Sequence, residues 1–363
     1  MHAFARDAII GDLLGLVERF ASPTLSGPGG IGKSTIALTL LHHDRTTARF
    51  GKHRHFMRCD DLVNSLGGFL GRLSDAFGMR HTTDVVRLRS RLALSPPCIL
   101  VLDGVDSILD PLAPGAAEIA TMIEEINRSQ DVCLLTTSRM EVDIPGLHRI
   151  EVPTLSEGGA RDTFHSLCHL ERSSAIDKLL AELDFHPLSI DLLASAVGEN
   201  DWDEPTLLEE WDGGKTSILK ASGRQSLEDS IEAMFLTPTI QKLGATAREA
   251  LEAIALYSGG VEENRLESRF PGIAGVGEAA NVLCKFSLMY RQGGFVNMLS
   301  PFRFYFLEST QALVFRLGSD TDHSPPADGA AGNDTIHNSP VDETPPSTCH
   351  LAEAGASSSL SLF

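Results

Sequence analysis

Apolar positions run along the first 155 residues in two alternating rhythms. Residues 7 to 20, "DAIIGDLLGLVERF", carry them at helical spacing. "TLS", residues 24 to 26, is a short strand candidate with Pro23 just upstream. "KSTIALTLL" predicts a helix and "HRHFMRC" a strand, followed by helices over "DLVNSLGGFLGRLSDAF" and "VVRLRSRLAL". "CILVLD" is a short, continuously apolar run ending in an acid, the profile of a buried parallel strand. "AAEIATMIEEINR" is a predicted helix, "VCLLTT" a second buried strand, and "HRIEV" a fifth strand. Strands alternating with helices predict an α/β domain around a parallel sheet.

After Pro153 the strand rhythm stops. Up to residue 236 only helices are predicted: "GGARDTFHSLCHL", "SAIDKLLAELDF", "LSIDLLASAV", "TLLEEW" and "LEDSIEAMF". A third unit combines the helices "ATAREALEAIAL" and "GEAANVLCKF" with a hairpin, "SLMYRQGGFVNM", turning at Gly293 and Gly294. "PFRFYFLEST" closes it as a helix with Pro301 in its first turn. Helices around a small hairpin suggest a winged-helix-like domain. From Gly318 the chain is rich in Ser, Pro, Gly and Ala and has no Lys or Arg, a composition that cannot offset ordering entropy. The expected organisation is an α/β domain over 1–155, a helical domain over 156–236, a winged-helix-like domain over 237–317 and a disordered tail over 318–363.

Composition narrows the function. The net charge of -19 disfavours non-specific binding to nucleic acid or an anionic membrane surface. No run reaches the ~18 apolar residues of a membrane helix, and "MHAFARDAII" lacks the features of a signal peptide. Six cysteines, Cys59, Cys98, Cys133, Cys168, Cys284 and Cys349, lie far apart, which suits reduced thiols in a cytoplasmic protein. "HSLCHL" sets His165, Cys168 and His169 close together, but no second ligand cluster follows. "HHDRTTARFGKHRH" reads as a solvated connection between a helix and a strand.

One stretch carries chemistry. "GPGGIGKST" satisfies both G-x-G-x-x-G and G-x-x-x-x-G-K-S. The dinucleotide reading needs an acid about 20 residues beyond the glycines, and Asp60 and Asp61 lie too far on. Lys33 and Ser34 decide for a phosphate-binding loop, or P-loop. Gly27, Pro28, Gly29, Gly30, Ile31, Gly32, Lys33, Ser34 and Thr35 would wrap the phosphates of a nucleotide, Lys33 supplying charge and Ser34 a hydroxyl to Mg²⁺. Asp103, at the end of "CILVLD", is the expected second Mg²⁺ group. Thr136, Thr137 and Arg139 end the "VCLLTT" strand at the same sheet edge, from which Arg139 could reach a terminal phosphate.

These motifs in this order, followed by helical and winged-helix-like units, resemble the NB-ARC ATPases of the STAND class, nucleotide switches of immune and cell-death receptors. The resemblance is closest to fungal NLR-like proteins. It rests on "GPGGIGKST", "LHHDRTTARFGKHRHFMRCDDL", "ILVLDGVDSILD", "LDFHPLSIDLLAS" and "MLSPFRFYF", and covers residues 4 to 310. It implies a Walker A loop at Gly27 to Thr35, a Walker B acid at Asp103 and a sensor arginine at Arg139. "FARD" stands where the family packs near adenine, leaving Phe4, Arg6 and Asp7 as candidates. "FHPLSI" matches the family's G-L-P-L motif, which places Pro187 beside adenine, with His186 a departure.

Two departures bear on turnover. Gly104 stands where a second acid often follows the Walker B residue, and Asp106 is the nearest acid that could serve as catalytic base. Met298, Leu299 and Ser300 stand where relatives carry Met-His-Asp. The resemblance thus implies an ATP/ADP-binding signalling switch with slow or absent hydrolysis, self-association in the ATP state and an effector protein as partner. Against it stand a P-loop ATPase or kinase whose output is turnover, and a scaffold with a vestigial site. Family members usually add an effector domain before the switch and a sensor after it. A bare switch module, a partner-dependent regulator and a truncated family member all fit this chain.

Overall fold

The apolar runs assemble as five parallel strands: β1 (Ser22–Ser26), β2 (Arg54–Arg58), β3 (Cys98–Asp103), β4 (Val132–Ser138) and β5 (Leu147–Glu151), in the order β2-β3-β4-β1-β5. The computed structural model describes residues 5–59, 65–79, 82–93, 96–214, 218–219 and 226–308. Phe4, Asp60, Asp61, Cys349 and the expected tail lie outside the described residues.

The central strands are apolar throughout because both faces of the sheet are covered. Ile99 and Val101 of β3 and Cys133 and Leu135 of β4 pack with α1 (Asp7–Glu18) and α2 (Lys33–His42). The alternate residues, Cys98, Leu100, Leu102 and Leu134, face the opposite side. There they meet α4 (Leu66–Ala76), α5 (Val85–Ala93) and α7 (Ala116–Asn127), the last reached through the short α6 (Asp106–Leu109).

Pro23 lies in β1, between β4 and β5, although proline removes a ladder donor. The strand tolerates it because pairing with β4 begins only at Thr24, and the Ser22 hydroxyl accepts the Leu134 N–H at 3.1 Å.

"HHDRTTARFGKHRH" departs from its expected form. It contains α3 (Asp44–Phe50), capped by the His43 ring, which accepts the Arg45 N–H at 3.2 Å, and anchored by buried Phe50. "HSLCHL" also differs: the helix there, α8 (Glu157–Leu167), stops before Cys168 and His169, so the three side chains share no helical turn. Among the described residues no group of three His, Cys, Asp or Glu is placed to hold a metal.

Helices follow β5. They are α8, α9 (Ser174–Glu182), α10 (Pro187–Asn200), α11 (Glu204–Gly213), α12 (Leu227–Phe235), α13 (Pro238–Leu243) and α14 (Ala245–Ala255). Beyond them come α15 (Leu266–Arg269), α16 (Val276–Lys285) and α17, over 300–308. A small antiparallel sheet, β6 (Val261–Glu262), β7 (Tyr290–Gln292) and β8 (Phe295–Asn297), runs in the order β6-β8-β7. Gly293 and Gly294 turn its hairpin at φ +58° and +82°, the pair of positive values a two-residue hairpin turn demands.

Two carboxylates, buried Asp110 and half-buried Asp184, join distant segments. Asp110, just after α6, accepts the Thr239 N–H at 3.0 Å and its hydroxyl, capping α13. Asp184 accepts the Ser300 N–H where α17 begins. Among the described residues no helix is long and apolar enough to cross a membrane.

Candidate functional site

The loop from Gly27 to Gly32 joins the carboxyl end of β1 to α2. Gly32, at φ +97°, immediately precedes the helix, and no side chain caps the helix N-terminus. First-turn N–H groups without a side-chain acceptor are the condition in which a helix N-terminus takes an anion.

The loop also serves as a packing surface. A Cβ on Gly29 would stand 2.0 Å from the Ser230 hydroxyl of α12. One on Gly30, itself at φ +75°, would stand 2.7 Å from the Leu188 side chain and 2.8 Å from the His186 ring. Gly30 is therefore favoured both by its backbone conformation and by close contact with the head of α10, whereas Gly29, with no positive φ, is crowded only by the Ser230 side chain.

Lys33 folds back on its loop. Its ammonium donates to the carbonyls of Gly27 at 2.7 Å and Pro28 at 2.8 Å. Burial lowers its pKa to about 8, and the Arg139 charge adds to the lowering, while Asp106 and Asp103 oppose it.

Asp103, at the end of β3, gathers hydroxyls. Ser34 donates to its Oδ1 at 2.7 Å and Thr137 at 2.6 Å, while the Thr137 oxygen accepts the Gly104 N–H at 2.9 Å. Thr136 instead donates to Thr24 across the sheet at 2.8 Å, a structural bond. Asp106 is differently placed. It is 1% exposed, and it accepts both the backbone N–H and the Nε of Arg139 at 2.9 Å. The two residues expected to act separately on a nucleotide thus form one buried ion pair.

On the other side of the loop, Arg6 donates to the carbonyls of Ile31 at 3.0 Å and Pro153 at 2.8 Å. Burial lowers its pKa. Arg6 and Pro187, the first residue of α10, line one cavity of about 210 Å³ together with Ile31, Gly32, Thr35 and Asp191. The residues predicted to meet adenine and those predicted to meet phosphate therefore converge on one edge of the sheet. Met298 is buried core, and Ser300 meets Asp184.

His186 is the residue whose contact the sequence hides. Its Nδ1 accepts the Ser189 N–H as an α10 cap, so in the neutral ring Nε2 carries the hydrogen and donates to the Gly29 carbonyl at 3.0 Å. Beside it the Leu188 N–H donates to the Gly30 carbonyl at 3.3 Å. Burial, with Lys33 and Arg6 nearby, lowers the His186 pKa to about 4, against the opposing pull of the Gly29 carbonyl. Only its place beside Pro187 in "FHPLSI" hinted at this, because the partner lies 157 residues away.

The donor set suits a magnesium-bound polyphosphate. It offers an ammonium and a helix N-terminus for phosphate, and hydroxyl and carboxylate oxygens, the ligands a hard cation prefers.

No family model and no curated protein matches the chain. Among solved structures it resembles the Walker-type ATPase PABY2304 of Pyrococcus abyssi, at TM-score 0.56 and 12% identity over 84% of this chain and 96% of that one. A STAND protein with a tetratricopeptide repeat sensor from Pyrococcus horikoshii gives TM-score 0.35 and 15% identity, over 86% of this chain and 45% of that one. The Aeropyrum pernix ORC1 protein, solved with DNA, gives 0.42 and 15%, over 87% and 94%. The last two superpose too loosely to support an inference. The likeness stops short of NB-ARC or fungal NLR-like proteins in particular, and what sheet, loop and neighbour establish together is the fold of a P-loop ATPase.

Proposed function

We propose that this protein is an ATP/ADP-binding switch of the STAND type, NB-ARC-like in its motifs, in which binding rather than turnover carries the signal. The observation behind this reading is the seam between loop and helices. Carbonyls of two P-loop residues, Gly29 and Gly30, accept hydrogen bonds from His186 and Leu188 at the head of α10. Any change in the loop on exchanging ADP for ATP therefore acts on α10, and only such differential contact can shift a conformational equilibrium.

In this reading Lys33 and the N-terminus of α2 hold the phosphates, Ser34 and Asp103 hold Mg²⁺, and Arg6 and Pro187 border the adenine. The magnesium supplies charge neutralisation at the terminal phosphate. Asp106 acts as a positioning residue that aims Arg139, since its carboxylate is occupied by the arginine. That leaves Gly104 and Asp106 without an acceptor for an attacking water, which motivates slow hydrolysis. Segments 1–155, 156–236 and 237–317 are the proposed moving parts. Self-association in the ATP state and a protein effector belong to the same proposal, and the acidic charge argues against nucleic acid and membrane partners.

The test is the nucleotide that co-purifies with the protein, read together with steady-state phosphate release from Mg-ATP. Retained ADP and release far below the ~10 s⁻¹ enzyme median are expected. An empty site overturns the reading in favour of a scaffold. Release of several per second that is lost in Asp103→Ala overturns it in favour of a turnover enzyme.

A further inference from the structure

The short helix α6 has a buried acid at each end. Asp106 opens it and Asp110 follows its last residue, and the two are 1% and 0% exposed. Each grips a different part of the molecule. Asp106 accepts the N–H and Nε of Arg139 at the nucleotide edge. Asp110 accepts the Thr239 N–H at 3.0 Å and the Thr239 hydroxyl. Residues 106–110 thus join the end of β4 to the head of α13.

Local structure makes this connection stiff. The Ile108 and Leu109 N–H groups close the turn on the Val105 carbonyl at 3.1 and 2.9 Å. Val105, Ile108 and Leu109 are buried in the core. The Leu112 N–H donates to Asp110 at 2.9 Å and fixes that carboxylate on its own chain. A close-packed interior has no free space to absorb a shift at one end, so the turn moves as a unit.

Both grips reach groups that have more to bind or nothing else to hold. Arg139 is bonded through Nε and its backbone, and among the described residues its Nη1 and Nη2 take no hydrogen bond. Its Cδ stands 4.0 Å from the place a Cβ on Gly29 would fill, so the side chain lies against the P-loop. At the other end, Thr237 makes no capping bond to α13, and Pro238 has no N–H. Thr239 therefore offers the first N–H of that helix, an orphan donor that Asp110 satisfies. α13 in turn packs on α12, α14 and α16.

Resting on the nucleotide reading above, we infer that α6 is a rigid link through which a terminal phosphate loosens α13, with Asp110 as its positioning residue. A γ-phosphate held by Nη1 and Nη2 draws Arg139 along the P-loop, and Asp106, bonded to it twice, follows. A single turn gripped at both ends has one position in which both sets of bonds are at full strength. Movement at the Asp106 end therefore lengthens the Asp110 bonds to Thr239. ADP has no third phosphate to make that pull, and such differential contact is what shifts an equilibrium. Coupling of this kind is reciprocal, so weakening the Asp110 grip favours ATP over ADP.

The test is hydrogen exchange of the full chain, read at the Thr239 amide, with saturating Mg²⁺ and either ADP or the β,γ-imido analogue of ATP. Exchange about fivefold or more faster with the analogue is expected. Calorimetry supplies the reciprocal half. In Asp110→Asn, which replaces an accepting oxygen by a donor, preference for the analogue over ADP should rise about fivefold or more. Thr239→Val, the milder variant, should move it the same way. Thr206→Val, which removes a comparable hydroxyl bond to Asp203 at the head of α11, should leave it unchanged. Three outcomes overturn the link and leave the nucleotide reading standing: equal exchange under the two nucleotides, an unchanged preference in folded Asp110→Asn or Thr239→Val, or an equal rise in Thr206→Val. No saturable binding of either nucleotide to the unaltered protein overturns both.

Discussion

Along β3 the surroundings change character within six residues. At Asp103 the polar groups answer one another: Ser34 and Thr137 meet the carboxylate, Arg139 meets Asp106, and Lys33 meets two carbonyls. At Cys98 basic side chains line a cavity, and among the described residues no carboxylate pairs with Lys52 or His53. The first edge holds its charges in place through mutual contacts, so a ligand arriving there must exchange partners with the protein. At the second edge Lys52 and His53 have no such ionic contacts among the described residues. One sheet thus carries two arrangements of charge, an interlocked network and a basic cluster.

The sharpest way to break the interlocked edge is Arg139→Ala. It leaves the Asp106 carboxylate, 1% exposed, without its cation. Removing one partner of a buried pair typically costs about 3–5 kcal/mol, so chemical denaturation should show a loss near the low end of that range. A loss under about 1 kcal/mol would mean that Lys33 takes over as the partner of Asp106.

Lys33→Ala should lower affinity for ATP and ADP ten- to a hundredfold, about 1.5–3 kcal/mol, by calorimetry. The fold should persist by circular dichroism. The folded pKa of about 8 lies below the usual 10.5, so the unfolded chain binds the proton more tightly between those values. Parent stability should accordingly gain with rising pH across that window relative to Lys33→Ala. The absence of such a difference would contradict a charged, buried Lys33.

His186 should give an acid-sensitive contribution of roughly 3 kcal/mol. Its folded pKa of about 4 lies below the ordinary 6.5, so the unfolded state takes up the proton first as pH falls. Stability is lost between about pH 6.5 and 4 and levels off below that. Denaturation across this range should show a shallower slope in His186→Gln. Equal slopes would mean that the ring takes up its proton as readily in the folded protein as in the unfolded one.

The smallest effect is expected at Gly104, which sits at φ +75°. Gly104→Asp should cost about 1 kcal/mol from backbone conformation, measurable as a small fall in melting temperature. Phosphate release should rise if the new carboxylate orients a water. This glycine has a backbone reason to be there, beyond the missing side chain that marked it in the sequence.

Much of this was legible in advance where the signal is local. "CILVLD" and "VCLLTT" read as buried strands because both faces are covered and no polar residue interrupts them. "GPGGIGKST" read as a phosphate loop because Lys33 and Ser34 follow the glycines directly. α3 was missed because seven residues with one buried aromatic make no helical stripe, and His43 is an uncommon cap. The Asp106 and Arg139 pairing, the His186 contact and the pressure of Ser230 on Gly29 were missed for another reason. Each joins residues 33 to more than 150 positions apart, and no periodicity reports such distances.

The strand order has a consequence for how the protein is made. β1 emerges first but lies inside the sheet, and its neighbours β4 and β5 follow more than a hundred residues later, as Thr24 and Thr136 show, 112 positions apart. Until those neighbours arrive, β1 has no ladder and the loop that leaves it has no fixed origin. Closing so long a loop slows folding, and the cost precedes the contacts that reward it. A nascent chain released before β5 would carry the whole of "GPGGIGKST" without the frame that shapes it. Ligand capture by a ribosome-bound series of increasing length should therefore switch on only after residue 151 has cleared the exit tunnel.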